Sequence, residues 1–372
     1  MPEKSSEKGF RQDLTPLLHC LTAAMKAQGF TVKVHFELEG AYRPTHAHGK
    51  LNLPAINQQL KRLGIAGEIK PEYWQCQWEY VSLFNHQTPA EEATFLAKAF
   101  QYLPQIMCQN GAAEVFFVPV VWGGDKGRYM NGSSAIFSTD QRPVHIPNAV
   151  QINVSIEDKK KNNLIATTSL GEWLQWQMLT ASYRCCLLFL PEEDAFKRLG
   201  LRENYNLDAE LSSPYELSGG HQGSVALYRE KGKHNQAMGL TPLIYSSENT
   251  ILSYQHDWQK TARVEHRLGA TSAAYDPYIN MLFVLLCALE SVEMWQQTDN
   301  LPEPCQPQAL PTSLHDRNGQ LGAISLFNQD AWFERTLYKY TSNLPEPIRS
   351  QAFSVKSQFL SQFHHTFSIL DS

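Results

Sequence analysis

A short charged alternation followed by a long apolar run constrains this chain more than any other feature. In "RVEHRL" (263–268) the charged residues Arg263, Glu265 and Arg267 occupy every second position. A two-residue period predicts a β-strand that places these three side chains on one face. The next segment, "INMLFVLLCALES" (279–291), is almost entirely apolar and predicts a buried helix. We therefore expect two arginines and a carboxylate on a strand that packs against the core.

Three further segments alternate in the same way and are separated by helical patterns. They are "TVKVHFELEG" (31–40), "WQCQWEY" (74–80) and "AVQINVSIE" (149–157). If such strands pair in an antiparallel sheet, helices cover the apolar face and the glutamates collect on the other. The predicted fold class is α+β, with a curved antiparallel sheet and helices on its outer face. The alternative interpretation is an ordinary solvated face, but serine, threonine and lysine would be typical of one.

The composition of the chain indicates which kinds of molecule it is not expected to bind. The chain has 372 residues, 42% of them hydrophobic, and a net charge of −5, so it can bury a large core and does not favour nucleic acid or an anionic membrane. The polar start differs from a signal peptide. The apolar run 277–289 is shorter than the roughly 20 residues that span a bilayer, and the seven cysteines lack CxxC spacing. These features predict a cytoplasmic protein with no membrane partner.

Glutamates that share a sheet face with arginines suggest a specific chemistry. Gathered carboxylates repel one another unless cations neutralise them, and an all-oxygen donor set suits Mg²⁺ or Mn²⁺. Arginine binds phosphate oxygens in a bidentate manner. A metal ion and arginines together provide the charge neutralisation on which phosphoryl transfer depends. Since "SGGHQGS" (218–224) lacks the lysine of a phosphate-binding loop, we expect ATP to be held by the sheet.

The order of five short motifs is similar to that of the glutamine synthetase family. "RVEHRL" and the following "YDPYINMLFVLLCALES" resemble its Arg-x-Glu-x-Arg element, loop and apolar helix; the other four motifs are "FELEG", "EYWQCQWEY", "AFKRL" and "LPTSL". The resemblance runs from about residue 30 to 340. It implies a half-barrel sheet, as in glutamine synthetases and guanido kinases, in one catalytic domain over 1–372. Residues 341–372 would form a C-terminal helical extension.

The resemblance also implies roles for individual residues. One divalent metal would be held by Glu39, Glu72 and Glu79, and a second by Glu37 and Glu265 near the ATP phosphates. Arg263 and Arg267 would contact the ATP phosphates and the transferred group as catalytic residues. Arg198 would bind the substrate carboxylate or the transferred phosphoryl group, and Arg229 would contact ATP. The segment "MNGSS" resembles a glutamate-binding loop, which implies that Asn131 and Gly132 bind substrate together with Arg198.

Several departures from the family pattern bear on function. The histidine ligand of the second metal is replaced by Ile136 or Gln151, depending on which segment forms that strand. The Asn-Arg element reads His221-Gln222, which leaves Arg229 as the nearby substitute. The chain reaches "FELEG" after about 36 residues, leaving no room for the small N-terminal β-grasp domain. Ordinary glutamine synthesis and the decameric or dodecameric ring are therefore not expected.

Two functions of different classes remain open at this point. The first is an ATP- and Mg²⁺-dependent carboxylate–amine ligase that acts through an acyl phosphate. Its partners would be a small carboxylate, with glutamate as a candidate, and an amine other than ammonia. The second is a degenerate relative without ligase activity that serves as a nucleotide-binding or interaction module. The retained glutamates and arginines favour the enzyme.

Overall fold

The computed structural model describes most of the chain. The described residues are 13–46, 49–72, 76–83, 87–121, 146–200, 225–229, 244–245, 251–253, 258–298, 300–303 and 308–364.

An antiparallel sheet organises the described residues. Its strands are β1 (Thr31–Pro44), β2 (Gly67–Pro71), β3 (Gln77–Ser82), β4 (Ala112–Phe116), β7 (Ala149–Glu157), β8 (Val225–Tyr228) and β11 (Arg263–Ala270), in the order β2-β3-β1-β7-β11-β8 with β4 also paired to β1. Two short pairs lie outside it: β5 (Val120–Val121) with β6 (Ile146–Pro147), and β9 (Ile244–Tyr245) with β10 (Ile251–Ser253). The main sheet is open within the described residues.

Helices pack against the apolar face of this sheet. They are α1 (Thr15–Ala27), α2 (Leu53–Arg62), α3 (Pro89–Cys108), α4 (Leu164–Thr167), α5 (Leu170–Arg184), α6 (Cys186–Phe189), α7 (Glu193–Gly200), α8 (Trp258–Thr261), α9 (Pro277–Gln297), α10 (Ala323–Gln329), α11 (Trp332–Thr341) and α12 (Ile348–His364). In β1 the alternate residues Val32, Val34, Phe36 and Leu38 are buried beneath α1 and α3. This arrangement confirms the predicted α+β class, with a largely antiparallel sheet and helices on one face.

Helix starts follow the local sequence rules. Thr88 caps α3 with a complete capping box, because its side chain accepts from the Glu91 N–H while the Glu91 carboxylate accepts from the Thr88 N–H. Asp276 caps α9 by accepting from the N–H groups of Tyr278 and Ile279. The Asp-Pro-Tyr sequence therefore fixes where the chain turns from β11 into the core helix.

The apolar run after β11 is the core helix that its composition predicts. Helix α9 is long and apolar enough to cross a membrane by length and composition, but 72% of that window is buried inside the protein. It packs against α1, α3 and α5. The helix thus forms the centre of the core behind the sheet.

Some predicted elements are shorter than the sequence pattern indicates. The expected strand "WQCQWEY" begins at Gln77, and Cys76 before it has a positive φ of 65° in a turn. The sequence "SLGEWLQWQMLTASYRCCLLFL" (169–190) predicts one long helix, but the chain forms two helices there, α5 and α6, with the break at Cys185. The sequence "AEVFFVPVVW" (113–122) predicts one strand, but its described residues belong to two, β4 and β5.

Candidate functional site

The strand register places the predicted glutamates of β1 and β3 on one face. Glu39 lies directly opposite Glu79, and Glu79 in turn lies opposite Lys70 of β2. Residues that face each other across a ladder project to the same side of the sheet. Glu72 follows β2 directly, and its N–H donates to the Gln77 carbonyl at 3.3 Å, which keeps it beside β3. We call Glu39, Glu72 and Glu79 the glutamate side.

The same register continues the polar face across β7 and β11. Glu37 lies opposite Gln151, and Glu265 lies opposite Asn153. Arg263 lies two residues before Glu265 in β11 and Arg267 two residues after it. We call this group the arginine side, which consists of Glu37, Gln151, Asn153, Arg263, Glu265 and Arg267. The four strands therefore gather four of the five predicted glutamates, with the fifth at the end of β2.

Glu265 is the most enclosed acid of the face. Its side chain is fully buried, and it accepts from Arg263 Nη2 at 3.0 Å and from Arg267 Nη1 at 2.5 Å. Burial disfavours the charged form of Arg267, but the adjacent Glu265 carboxylate outweighs that effect and raises the pKa of Arg267. Tyr228 of β8 supports both arginines, since its hydroxyl accepts from Arg267 at 3.3 Å and its ring lies 4.9 Å from the Arg263 guanidinium.

Two buried amides connect the strands of the arginine side. Asn153 donates to Glu37 Oε1 at 3.0 Å and accepts from Arg263 Nε at 2.6 Å. With its amide nitrogen facing the carboxylates, Gln151 donates to Glu265 Oε1 at 2.8 Å and to Glu37 Oε2 at 3.2 Å. In the opposite orientation the amide nitrogen donates to Glu39 Oε1 at 3.4 Å, but the amide oxygen then faces two acceptors. The two shorter bonds favour the first orientation.

Arg198 brings a further cation to the face from α7. Its guanidinium is buried, and within the described residues its Nε and Nη1 have no hydrogen-bond partner. Burial lowers the pKa of Arg198 to about 10, the charge of Glu39 acts in the opposite direction, and the charge of Arg267 lowers it further. Arg198 therefore lies within electrostatic range of both sides and presents unpaired donors there. Such donors suit an anionic group.

The opposite face of β11 is apolar. His266 lies between the rings of Phe189 and Phe283, and its Nε2 is 2.9 Å from Ser182 Oγ. Burial lowers the pKa of His266 to about 3, which keeps the ring neutral. The arginine side is thus supported by a dry layer, a property that strengthens its charge–charge interactions.

Arg229 is not brought together with the other predicted arginines. Its nitrogens donate to both oxygens of Glu172 at 2.6 and 2.7 Å, and to the carbonyls of Ile165 and Thr168 at 2.7 and 2.6 Å. These contacts hold the end of β8 against α4 and α5. Its assignment to ATP remains a prediction.

Several predicted positions lie outside the described residues. They are Asn131, Gly132, Ile136, His221 and Gln222. The strand that separates β1 from β11 is nevertheless β7, so Gln151 is the residue that occupies the inner position of the polar face. Asn153 and Tyr228 were not predicted as site residues. Asn153 shares a face with Gln151 by its spacing, a signal available in the sequence.

The side chains fit a divalent cation differently on the two sides. Within the described part of the chain no three acidic, histidine or cysteine side chains form a ready metal-binding group. On the glutamate side the candidate donors are all carboxylate oxygens, the type that a hard cation prefers, and Lys70 lies opposite Glu79. On the arginine side guanidinium and amide groups already hold both carboxylates. By donor chemistry alone, the glutamate side suits a hard cation better than the arginine side does.

Comparison with known proteins gives a clear result at the level of structure alone. The sequence matches no protein-family model, and no curated protein matches it significantly. A solved structure described as a novel glutamine synthase homolog superposes with a TM-score of 0.57 at 16% identity, covering 95% of this chain and 75% of that one. GmaS superposes with a TM-score of 0.55 without ligand and 0.56 as its ADP complex, at 13% and 12% identity. Each GmaS match covers 94% of this chain, and 73% and 74% of GmaS. This chain therefore has the fold of the glutamine synthetase homologues.

Proposed function

We propose that this chain is an ATP- and Mg²⁺-dependent carboxylate–amine ligase of the γ-glutamyl ligase type. The observation that carries the proposal is one sheet face that holds three glutamates beside a buried ion-paired arginine cluster. Arg198 lies within electrostatic range of both. Transfer of a phosphoryl group needs a cation site, positive charge for the phosphate oxygens and exclusion of water. The glutamate side would provide the first of these, and the arginines with Arg198 would provide the second.

The glutamate side would hold the divalent ion, Mg²⁺ or Mn²⁺. Glu39, Glu72 and Glu79 provide only oxygen donors, which match the preference of both ions. The Ala149 N–H donates to Glu39 Oε2 at 2.8 Å, which would help to hold this carboxylate in place. The bound ion would supply neutralisation of phosphate charge.

The arginines would bind the anionic groups. Arg263 is the partly exposed member of the arginine side, with 22% of its side chain accessible, and it is placed to contact a phosphate. Arg198 would bind the substrate carboxylate or the transferred phosphoryl group through its unpaired Nε and Nη1. Arg267, held by Glu265 and Tyr228, would fix the positive charge without moving.

The reaction proceeds in two steps. The carboxylate oxygen attacks the γ-phosphorus of ATP, an acyl phosphate forms, and ADP leaves. The amine nitrogen then attacks the acyl carbon, the carbon–oxygen bond to phosphate breaks, and a proton leaves the nitrogen. The arginines favour both steps because they stabilise charge on the phosphate oxygens. The structure described as an ADP complex of GmaS supports nucleotide as a ligand of this fold.

The remaining assignments complete the proposal. The chain acts as one catalytic domain in the cytoplasm, with 341–372 as a helical extension. Its substrates are a small carboxylate, with glutamate as a candidate bound by Asn131 and Gly132, and an amine other than ammonia. One observation favours a second function: the arginine side is charge-balanced without a ligand. On that basis the alternative is a nucleotide-binding or interaction module without ligase activity.

The test begins with ligand-dependent stability. Mg²⁺ and ADP together should raise the melting temperature, since a ligand present at one hundred times its Kd stabilises by about 2.7 kcal/mol. Glu79→Gln should remove the Mg²⁺-dependent part. His46→Ala is the matched control, because His46 is exposed in a turn after β1 and its loss should leave the effect intact.

Turnover then separates the two functions. ATP consumption across a panel of carboxylates and amines, with ADP and amide formed in equal amounts, identifies the ligase. Binding of ADP without turnover of any pair identifies the module. The absence of any ligand-dependent stabilisation at millimolar Mg²⁺ and ADP would contradict the ligase and favour an interaction module that binds no nucleotide.

A further inference from the structure

Gln151 occupies the inner position of the arginine side, where the sequence resemblance calls for a metal-binding histidine. It lies in β7, between Glu37 on β1 and Glu265 on β11, and it is 5% exposed. In the amide orientation that its bonding favours, its nitrogen donates to one oxygen of Glu37 at 3.2 Å and to one oxygen of Glu265 at 2.8 Å. One neutral side chain therefore joins the two acids that a second metal ion would bind.

The two carboxylates also have cationic partners. Glu265 is held by Arg263 and Arg267, so two carboxylates and two guanidinium groups balance one another formally. Asn153 links the remaining members, because it donates to Glu37 and accepts from Arg263. A divalent ion added here would have to lie beside two buried or half-buried guanidinium groups, and their repulsion is strong where water is excluded.

We propose that the Gln151 amide takes the place of a cation on the arginine side, so that the polar face holds one divalent ion, on the glutamate side. The ion itself rests on the proposed function, whereas the amide bridge rests on the contacts of Gln151 alone. The bridge presets the positions of Glu37, Glu265 and their arginines in the metal-free protein. A carboxylate at position 151 could not donate to either acid and would restore the need for a cation.

The ion count tests the proposal directly in the full-length wild-type protein. Bound Mn²⁺ is measured by equilibrium dialysis with electron paramagnetic resonance detection of the free ion, without nucleotide. We expect one Mn²⁺ per chain. Two ions in the wild-type protein would overturn the proposal while leaving the ligase function standing.

Two substitutions of Gln151 change the bridge in opposite ways. Gln151→Glu should raise the count from one to two and should increase the metal-free unfolding equilibrium constant by about tenfold or more, because bonds to charged groups are lost. Gln151→Met keeps the side-chain volume and removes the hydrogen-bond donor. It should lower the metal-free stability to a similar extent, while the protein still binds one Mn²⁺ per chain. If Gln151→Glu does not fold without metal, Gln151→Met carries the test. Unchanged stability in both variants would overturn the bridge.

Gln175→Glu is the matched control. Gln175 is also buried, and it donates to the Val225 carbonyl at 2.8 Å from helix α5. This change should destabilise the protein without adding an ion. If the wild-type protein binds no Mn²⁺, the metal-dependent function and the single-ion count both fail. The stability of Gln151→Met then still decides whether the bridge exists.

Discussion

The arginine side and the glutamate side lie on one sheet face, but the negative charges of their carboxylates are balanced in different ways. On the arginine side, Glu265 is fully buried and both of its oxygens accept from guanidinium groups. On the glutamate side, Glu39 and Glu79 are half-buried and directly opposite one another. The first arrangement is complete in the protein alone. The second brings two carboxylates together on a half-exposed face, with Lys70 opposite Glu79, an arrangement suited to a ligand site.

This difference indicates which carboxylates the folded protein needs for its own stability. A buried ion pair adds little net stability when intact, but removal of one partner leaves an uncompensated charge. A half-buried carboxylate such as Glu79 differs, because it lies between Glu39 and Lys70 and its removal relieves repulsion while it removes an attraction. The same substitution should therefore cost much more stability on the arginine side than on the glutamate side.

The largest expected effect is the loss of Glu265. Glu265→Ala leaves the 3% exposed Arg267 guanidinium buried without its main partner, and should lower the free energy of unfolding by about 3–5 kcal/mol. Urea unfolding followed by far-ultraviolet circular dichroism measures the change.

Glu79→Ala is the control from the other side. It should change the metal-free free energy of unfolding by less than about 1 kcal/mol, because exposed and half-exposed sites contribute little. Equal losses in the two variants would contradict the distinction between the sides.

A smaller effect on the free energy of unfolding arises from protonation of His266, which lies in the apolar layer behind the arginine side. The folded pKa of His266 is about 3, against an ordinary value of 6.5, so the unfolded chain binds the proton more readily. The stability that this neutral ring provides is fully present above pH 6.5 and is lost progressively as the pH falls towards 3. At pH 5 the loss should be about 2 kcal/mol relative to pH 8.

Urea midpoints at pH 8, 6.5 and 5 measure this slope. In His266→Asn the slope attributable to this ring should disappear, whereas His46→Ala, at an exposed position, should retain the wild-type slope. A wild-type slope in His266→Asn would show that other groups determine the acid sensitivity, and that the layer behind β11 is wetter than the packing indicates.

The sequence predicts the shared face well because strand alternation and register obey the same two-residue period. "FELEG", "QWEY" and "RVEHRL" each place their acids on one face, and antiparallel pairing then aligns Glu37, Glu39, Glu79 and Glu265. The core helix follows from its apolar run and its Asp-Pro start for an equally local reason.

The sequence could not predict which acids would be neutralised within the protein. That outcome depends on which strand lies between β1 and β11, a long-range pairing that local patterns do not determine. The pairing is what places Gln151 between two acids and Asn153 between Glu37 and Arg263. The unpaired donors of Arg198 likewise depend on how α7 docks on the sheet.

The smallest expected effect defines where the arginine side ends. Arg229 was predicted to bind ATP, but its guanidinium is held by Glu172 and by two carbonyls. A double-mutant cycle of Arg229→Met and Glu172→Gln should give a coupling free energy of about 1 kcal/mol, because the pair is bidentate and only partly exposed. The affinity for ADP, measured by isothermal titration calorimetry, should be unchanged in both single variants.

Arg263→Met is the control and should weaken ADP binding without a comparable coupling to Glu172. If Arg229→Met weakens ADP binding as much as Arg263→Met does, the arginine side extends to β8 and the family's nucleotide contact is retained in a new position.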